Sequence, residues 1–401
     1  MAREGRSIGE RPIAVFVSSV HDYRMARRGS IQALADAVSR QGYDTRFISL
    51  RFSPLSLRKN DPRAFLWPRA NRWEQQGDIG CYIWRTPFHP FASRRNWLSA
   101  AMAPAHDLYG AWPNGDIDEV IGHAALIIVE SGLGAAFLTR FRRKNSAAKI
   151  IYLAADVLDV IGAHPKIQQR LEEAVPDIDH ICLRARAMAP GFYWARDKTF
   201  TLPPGIHPPD FETIGPSPYG PGCHAVSVGA MLFDVGFVRA AAEAAPDINF
   251  HIIGCGQSFT APDNVRLYDE MPFRETLPYL RHADIGLAPY RDAGSASYLA
   301  ESSLKLAQYD YLGLPAVCPD FAVGAHPRRF GYRVGDSAAI KSALDAALRD
   351  PGPHPAPRAR AWDDVALRLI APQSYSDTKI DPADFDLPAQ HSPQRSFKIT
   401  A

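Results

Sequence analysis

Between Tyr298 and Val317 the chain reads Tyr-Leu-Ala-Glu-Ser-Ser-Leu-Lys-Leu-Ala-Gln-Tyr-Asp-Tyr-Leu-Gly-Leu-Pro-Ala-Val. Two serines and a lysine fall where an amphipathic helix should begin. Gly313 and Pro315 end that helix, and an apolar strand, Ala316-Val317-Cys318, follows. The first turn of a helix carries unpaired N–H groups and a partial positive charge, so it is a natural seat for a diphosphate. Ser302 and Ser303 add hydroxyls there, and Lys305 adds a full charge one turn in.

In open α/β sheets ligands bind at the carboxyl ends of the strands, so the residues at those ends carry the next reading. In the second half of the chain they are Gly229-Ala230-Met231, Gly254-Cys255-Gly256, Glu270-Met271 and Tyr290. Glu270-Met271 could hold a base through main-chain groups and a sulfur contact. Tyr290, just after Pro289, could pack over that ring or reach the phosphates. Gly-Cys-Gly does not satisfy G-x-G-x-x-G, which disfavours a dinucleotide cofactor. Each residue alone reads as a turn or a cap; their joint fall on successive strand ends reads as a site. In the first half the notable strand-end residue is Asp156, after Ile-Ile-Tyr-Leu-Ala-Ala. A carboxylate facing a cleft could take the proton from an attacking hydroxyl, and one base suffices for a single displacement with a stabilised diphosphate as leaving group. Asp156 reads equally as the cap of a following helix. His21-Asp22, after the first strand, and Glu130, after the fourth, compete for the same role, although a lone histidine more often serves a structural hydrogen bond.

The elements that position these residues alternate along the chain. Ile13 to Val17 is an apolar strand, and a helix from about Ser30 to Arg40 follows, stopped by Gly42. Strands are expected over 45–50, 81–84, 124–130, 149–154 and 179–183, with a helix near 134–143. Residues 202–222 hold seven prolines and four glycines and can form neither helix nor interior strand, which places a linker there. The alternation then restarts, with strands at 225–228, 249–253, 265–268 and 285–288 and helices at 233–244 and near 274–282. The reading is an α/β protein with two Rossmann-like, doubly wound units facing a central cleft, the architecture called GT-B. The first unit spans 12–201 and the second 223–371; residues 372–401, polar and proline-rich, form a wrapped or disordered tail.

Charge is divided unevenly. The net value is only +2, but residues 1–100 carry 17 Lys+Arg against 8 Asp+Glu, which suggests a phosphate-bearing partner for the first unit. No basic run with interleaved stacking aromatics marks a nucleic-acid module. Arg24, Arg27 and Arg28 follow His21-Asp22 and could bind the diphosphate of an acceptor. Trp84 to Leu98, which contains Arg85, Arg94, Arg95 and Trp97, mixes aromatics with arginines as a membrane interface requires, or packs its aromatics into its own domain. The five cysteines are scattered with no C-x-x-C, so a disulfide framework or a zinc knuckle is not expected and a reducing compartment is. No signal peptide or membrane span is expected. No D-x-D in a strand-end loop and no His/Cys cluster calls for a metal.

Several strings resemble the GumK family of glucuronosyltransferases of xanthan-type exopolysaccharide assembly. They are Ser18-Ser19-Val-His21-Asp22-Tyr-Arg24, Trp84-Arg85-Thr86 with His89-Pro90-Phe91, Glu130-Ser131-Gly132, Ala155-Asp156, and Val228-Gly229-Ala-Met231-Leu232-Phe233-Asp234. Ala288-Pro289-Tyr290 and the 298–319 segment complete the likeness, which weakens in the linker and the tail. The resemblance implies inverting, metal-independent transfer of glucuronic acid from UDP-glucuronate to a polyprenyl-diphosphate-linked oligosaccharide ending in mannose. It implies a peripheral, monotopic enzyme on the anionic cytoplasmic face of the inner membrane. It places the catalytic base on Asp156 and the donor contacts on Met231, Glu270, Met271, Tyr290, Ser302, Ser303, Lys305 and Gln308. His21, Asp22, Arg28, Trp84, Arg94, Arg95 and Trp97 are the candidate acceptor or membrane residues. The alternatives are a GT-B transferase of a neutral UDP- or GDP-sugar, and a non-catalytic nucleotide- or lipid-binding scaffold of polysaccharide assembly.

Overall fold

A computed structural model describes residues 11–59, 61–93, 95–294, 296–350, 352 and 360–386. Two sheets form its frame. The first has β1 (Ile13–Ser18), β2 (Asp44–Phe52), β3 (Glu74–Gln76), β4 (Ile79–Arg85), β5 (Ala124–Glu130), β6 (Lys149–Ala154), β7 (His180–Leu183) and β8 (Thr199–Thr201), in the order β3-β4-β2-β1-β5-β6-β7-β8. All its pairs are parallel except the β3/β4 hairpin. The second has β9 (Cys223–Val228), β10 (Ile248–Ile253), β11 (Val265–Tyr268), β12 (Ile285–Leu287), β13 (Ala316–Pro319) and β14 (Arg329–Tyr332), all parallel, in the order β11-β10-β9-β12-β13-β14. The central strands are continuous apolar runs because helices cover both faces: Ala14 to Val17 and Ile150 to Ala154 are wholly buried.

Strand order reverses between β1 and β5 in the first sheet and between β9 and β12 in the second. Such switch points open a crevice at the carboxyl ends of the strands, because the loops leaving them run to opposite sides. Ser18 to His21 and Glu130-Ser131 leave the first crevice, and Gly229 and Ala288 to Tyr290 leave the second. The expected helix near 134–143 is a 3-10 turn (Leu133–Phe137) running into an α-helix (Leu138–Lys144).

The helix after β12 departs from its expected form. It is broken into Leu299–Ser302 and Leu304–Leu312, with Ser303 extended between them. The second piece ends at Gly313, whose φ of +67° is open to glycine and strained for other residues. Tyr309 seats this piece on the sheet: its ring lies over Gly286 of β12, and its hydroxyl donates to the Leu287 carbonyl at 3.1 Å.

The second unit is shorter at its C-terminal end than 371. The Trp362–Ile370 helix lies on the first unit, where Trp362, Val365, Ala366 and Leu369 share a core with Ile31, Leu34 and Val38. Arg40 pairs with Asp363 at 2.7 Å, and Lys149 Nζ donates to the Ile370 carbonyl at 2.9 Å. The apolar stripe of this helix suits either sheet, and only the tertiary fold selects one. The two passages of chain between the units pair with each other: Ile206 N donates to Arg360 O (2.8 Å) and Trp362 N to Ile206 O (3.0 Å). Of the expected tail, 372–386 forms two 3-10 turns and the Pro382–Asp386 helix, with Phe385 buried; 387–401 lie outside the described residues.

A methyl group at Gly286 would sit 2.6 Å from the Tyr309 ring. Gly286→Ala is therefore expected to destabilise the chain by about 1–3 kcal/mol in urea unfolding and, by displacing the helix that carries Lys305, to weaken nucleotide binding in the same preparation.

Candidate active site

A cavity of about 440 Å³ lies between the units, where the two crevices face one another. Along it the structure brings together His21, Arg28 and Asp156 of the first unit with Met231, Met271, Tyr290, Ser302, Ser303, Lys305 and Gln308 of the second. A smaller cavity of about 160 Å³ opens on the other side of Asp156. Val20, His21, Glu130 and Asp156 line both, and Arg51, Phe91 and His106 line the smaller one alone.

On the second unit the wall is built from three strand ends. Gly229 turns with φ +97° and Leu232 with φ +45°, which loops the chain outward between β9 and the Val235–Ala244 helix. That loop is clamped to the end of β12, since Asp234 N donates to Pro289 O (2.9 Å) and Arg291 N to Leu232 O (2.7 Å). Tyr290 is buried beneath it, and its hydroxyl lies 2.6 Å from Ser303 Oγ. Ser303 is also the cap of the Leu304–Leu312 helix, accepting from Leu306 N at 3.1 Å. Its hydroxyl is thus committed to the protein, and Ser302, half-buried one residue earlier, is the freer of the two. Lys305 Nζ donates to Ser227 Oγ at 3.1 Å and stands 5.5 Å above the Tyr290 ring. Among the described residues no carboxylate comes within ion-pair distance of it. Burial, with the Arg27 charge beside it, pulls its ammonium down to about 7.

On the first unit Ser18 Oγ donates to Glu130 Oε2 at 2.5 Å, tying β1 to β5. His21 Nδ1 is 3.4 Å from the same oxygen. Asp156 N donates to Ser131 Oγ (3.1 Å), and Asp156 Oδ1 accepts from the Tyr298 hydroxyl (2.9 Å). Asp156 is not the cap of an ordered helix: the next one, Pro165–Glu173, is capped by His164. Burial raises the Asp156 carboxyl above the ordinary aspartate range; Tyr298 opposes the shift, and Glu130 adds to it. Arg184, directly after β7, lines the large cavity although nearly its whole side chain is buried. It donates to Leu202 O at 3.1 Å and stacks at 5.6 Å on the Trp362 ring.

Four expectations need correction. Asp22 does not face the cleft: it is wholly buried, gripped by Arg24 through Nε and Nη2 at 2.8 Å each and by Ser49 Oγ at 2.7 Å. Burial would raise its carboxyl, but Arg24 holds it below the usual range. Arg24 is consumed by that pair and by Glu74 (2.7 Å), so it is not available to a ligand. Trp84 is in the core against Tyr109 and Phe137, since β4 points it inward. Glu270 is exposed, packs over the Gly254 turn, and does not line the cavity. Arg28 does line it, but pairs with Asp36 and lies over the Tyr23 ring. Arg27 reaches across to Gly229, with Nη2 3.4 Å from where a Cβ would lie. Arg95 and Trp97 are exposed and line neither cavity, and Arg94 lies outside the described residues. Reading the strand ends missed Arg184 and Tyr298. Arg184 follows a strand that had been recognised, so the same rule would have found it; Tyr298 had no signal of its own.

Two facing, almost wholly parallel sheets with a cleft at both switch points define the GT-B architecture. Solved structures agree: the apo structure of OtsA (TM-score 0.56, 12% identity, 90% of this chain and 94% of that one) and a UDP-forming α,α-trehalose-phosphate synthase from Burkholderia xenovorans (0.56, 13%, 95% of each) share it. Residues 16–184 match the family described as glucuronosyltransferase GumK, N-terminal domain. Over 382 residues, 93% of each sequence, the chain is 38% identical to a UDP-glucuronate:glycolipid 2-beta-glucuronosyltransferase of Xanthomonas campestris pv. campestris. The chain belongs to the GumK glucuronosyltransferase family.

If Lys305 meets a diphosphate, its protonation should be visible in binding. Affinity for a UDP-sugar, whose diphosphate diester does not titrate in this range, is expected to hold below pH 7 and to fall between pH 7 and 9 as the free ammonium loses its proton. In calorimetric titrations Lys305→Met should weaken binding at pH 6 by roughly 10–100-fold and flatten the pH dependence.

Proposed function

We propose that this chain transfers glucuronic acid from UDP-glucuronate to a hydroxyl of a polyprenyl-diphosphate-linked oligosaccharide ending in mannose, with inversion at the anomeric carbon. The observation that carries the reading is the opposition of Asp156 and Lys305 across one cavity, a base on one unit and a cation at a helix start on the other. The acceptor hydroxyl attacks the anomeric carbon as its proton passes to Asp156. The bond from that carbon to the diphosphate oxygen breaks, and its electron pair leaves on UDP. Burial makes Asp156 more basic than a solvated aspartate, as a general base requires. Ser302, Lys305 and the first N–H groups of the Leu304–Leu312 helix stabilise the charge on the departing diphosphate. Tyr290 and Met271 flank the nucleotide, and Lys305 and Arg27 distinguish a donor bearing a carboxylate from a neutral sugar. The smaller cavity falls short of the roughly 300–1,000 Å³ of a drug-sized site and suits a single terminal sugar ring beside Asp156.

We place the enzyme on the cytoplasmic face of the inner membrane. Among the described residues no helix is long and apolar enough to cross a membrane. The Asn96–Ala111 helix instead presents Trp97, Ala101, Pro104 and Leu108 to solvent as one uncharged stripe, with Trp97 69% and Leu108 65% exposed. Exposed Phe88 packs edge-on to Phe91, and Lys59 Nζ lies 5.2 Å from the Phe91 ring. With Arg95 nearby in sequence, that gives apolar side chains for the acyl boundary and cations for anionic headgroups.

Asp156→Asn is expected to lower transfer to a mannose-terminated polyprenyl-diphosphate glycan by 10²–10⁴-fold or so while leaving UDP affinity within about twofold. Wild-type chain should bind UDP-glucuronate at least about tenfold more tightly than UDP-glucose, a difference of one charge-assisted contact. Preference for the neutral sugar would instead favour a hexosyl donor. In vesicle co-sedimentation, Trp97→Ser with Leu108→Ser should reduce binding to phosphatidylglycerol-containing vesicles at least tenfold or so, since each side chain contributes roughly 1.5–3 kcal/mol on burial. Unchanged binding would refute the docking face.

A further inference from the structure

Tyr298 belongs to the second unit, closing a 3-10 turn (Ala296–Tyr298), yet its hydroxyl donates to Asp156 Oδ1 of the first at 2.9 Å. The side chain is 1% exposed, so the bond is shielded from water. Three residues on, Glu301 Oε2 accepts from the Arg186 main-chain N–H, also at 2.9 Å and also across the units. The segment then runs directly into Ser303 and Lys305. One stretch of eight residues therefore touches the base at one end and forms the diphosphate seat at the other.

We propose that Tyr298 is a positioning residue for the transfer, holding one oxygen of Asp156 when the units are closed so that the other is presented to the acceptor hydroxyl. The inference rests on Asp156 being the base. A carboxylate has two equivalent oxygens and free rotation about its last bond. A hydroxyl donated to Oδ1 fixes that rotation and commits Oδ2 to the remaining direction. The same bond stabilises the ionised carboxylate. It works against burial and the charge of Glu130 from the end of β5, and alongside His21 after β1 and Arg184 after β7. The Tyr152 hydroxyl, beneath the site on β6, has no hydrogen-bond partner among the described residues and is pushed far above its usual range by burial and by the charges of Glu130 and Asp156, so it stays neutral. Because Tyr298 lies on the opposite unit, opening the cleft releases Asp156. The base and the diphosphate seat are thus assembled by one movement, which keeps the base from being set before the donor is enclosed.

The test uses the full chain, UDP-glucuronate and a synthetic mannose-terminated polyprenyl-diphosphate glycan, with transfer rates recorded across pH. Tyr298→Phe keeps the ring and removes the bond. It should lower kcat roughly tenfold, leave the UDP-glucuronate KM unchanged, and move the acid limb of the kcat profile up by about one pH unit, the size expected for one hydrogen bond to a charged group. Glu301→Ala loosens the second cross-unit contact without touching Asp156, so it should lower kcat and leave that limb in place. Wild-type kcat and acid limb in Tyr298→Phe, or an equal limb shift in Glu301→Ala, would overturn the positioning role while Asp156→Asn remained inactive. Transfer retained by Asp156→Asn would overturn the assignment of the base and this inference with it.

Discussion

A parallel sheet cannot be closed by short hairpins, so all its strands finish along one edge and every connection returns over a face. That constraint governs this molecule. It gathers the residues following β1, β5, β6 and β7 on one rim, and those following β9, β10, β11 and β12 on another. The reversal of strand order opens a crevice in each rim, and the paired passages at Ile206 and Arg360–Trp362 hold the rims face to face. Neither sheet has both halves of the chemistry. The first carries buried carboxylates and the second a helix start with a lysine, and the cavity between the units is lined by both.

Burial acts on the two sides in opposite senses. It raises the Asp156 carboxyl and pulls the Lys305 ammonium toward neutrality, because each charged form loses water. Left alone, both effects would disarm the site. The protein limits the first with Tyr298, His21 and Arg184. On the proposed reading, a bound diphosphate would offset the second, restoring the charge that desolvation opposes. The Asp22–Arg24 pair, fully buried and mutually satisfied, is a contrasting case: it fixes the loop after β1 and leaves no charge for a substrate.

The first unit also has a distinctive outer surface. Four of its arginines pair with Asp22, Asp36, Asp61 and Asp118, but the excess of cations over carboxylates persists at the surface, where Arg11, Arg27, Arg40, Arg58 and Arg72 are exposed. One part of that surface is uncharged: a helical stripe with Trp97 and Leu108, near exposed Lys59 and Arg95.

The stretch 202–222, expected to hold no helix, carries a 3-10 turn at Pro208–Phe211. Strand identity and the helix that ends at Gly313, by contrast, could be read from residue order because each depends on local chemistry, apolar runs and a glycine stop. Asp156 was legible for the same reason, as the residue that follows an apolar strand. The division of labour among neighbours was not. Ser303 and Ser302 are alike in sequence, but the capping geometry commits one hydroxyl and frees the other. Arg24, Arg27 and Arg28 form one basic run, yet the first is locked to Asp22, the last is paired with Asp36, and only Arg27 reaches the opposite unit. Trp84 and Trp97 share one aromatic segment, and strand pleat against helix phase sends one inward and the other out. Tyr298 and Asp156 stand 142 positions apart, and no periodicity relates residues on different sheets. Local sequence determined which groups could do chemistry; the packing of one unit on the other decided which of them meet, because hydrogen bonds and desolvation act over a few ångströms of space, whatever the separation along the chain.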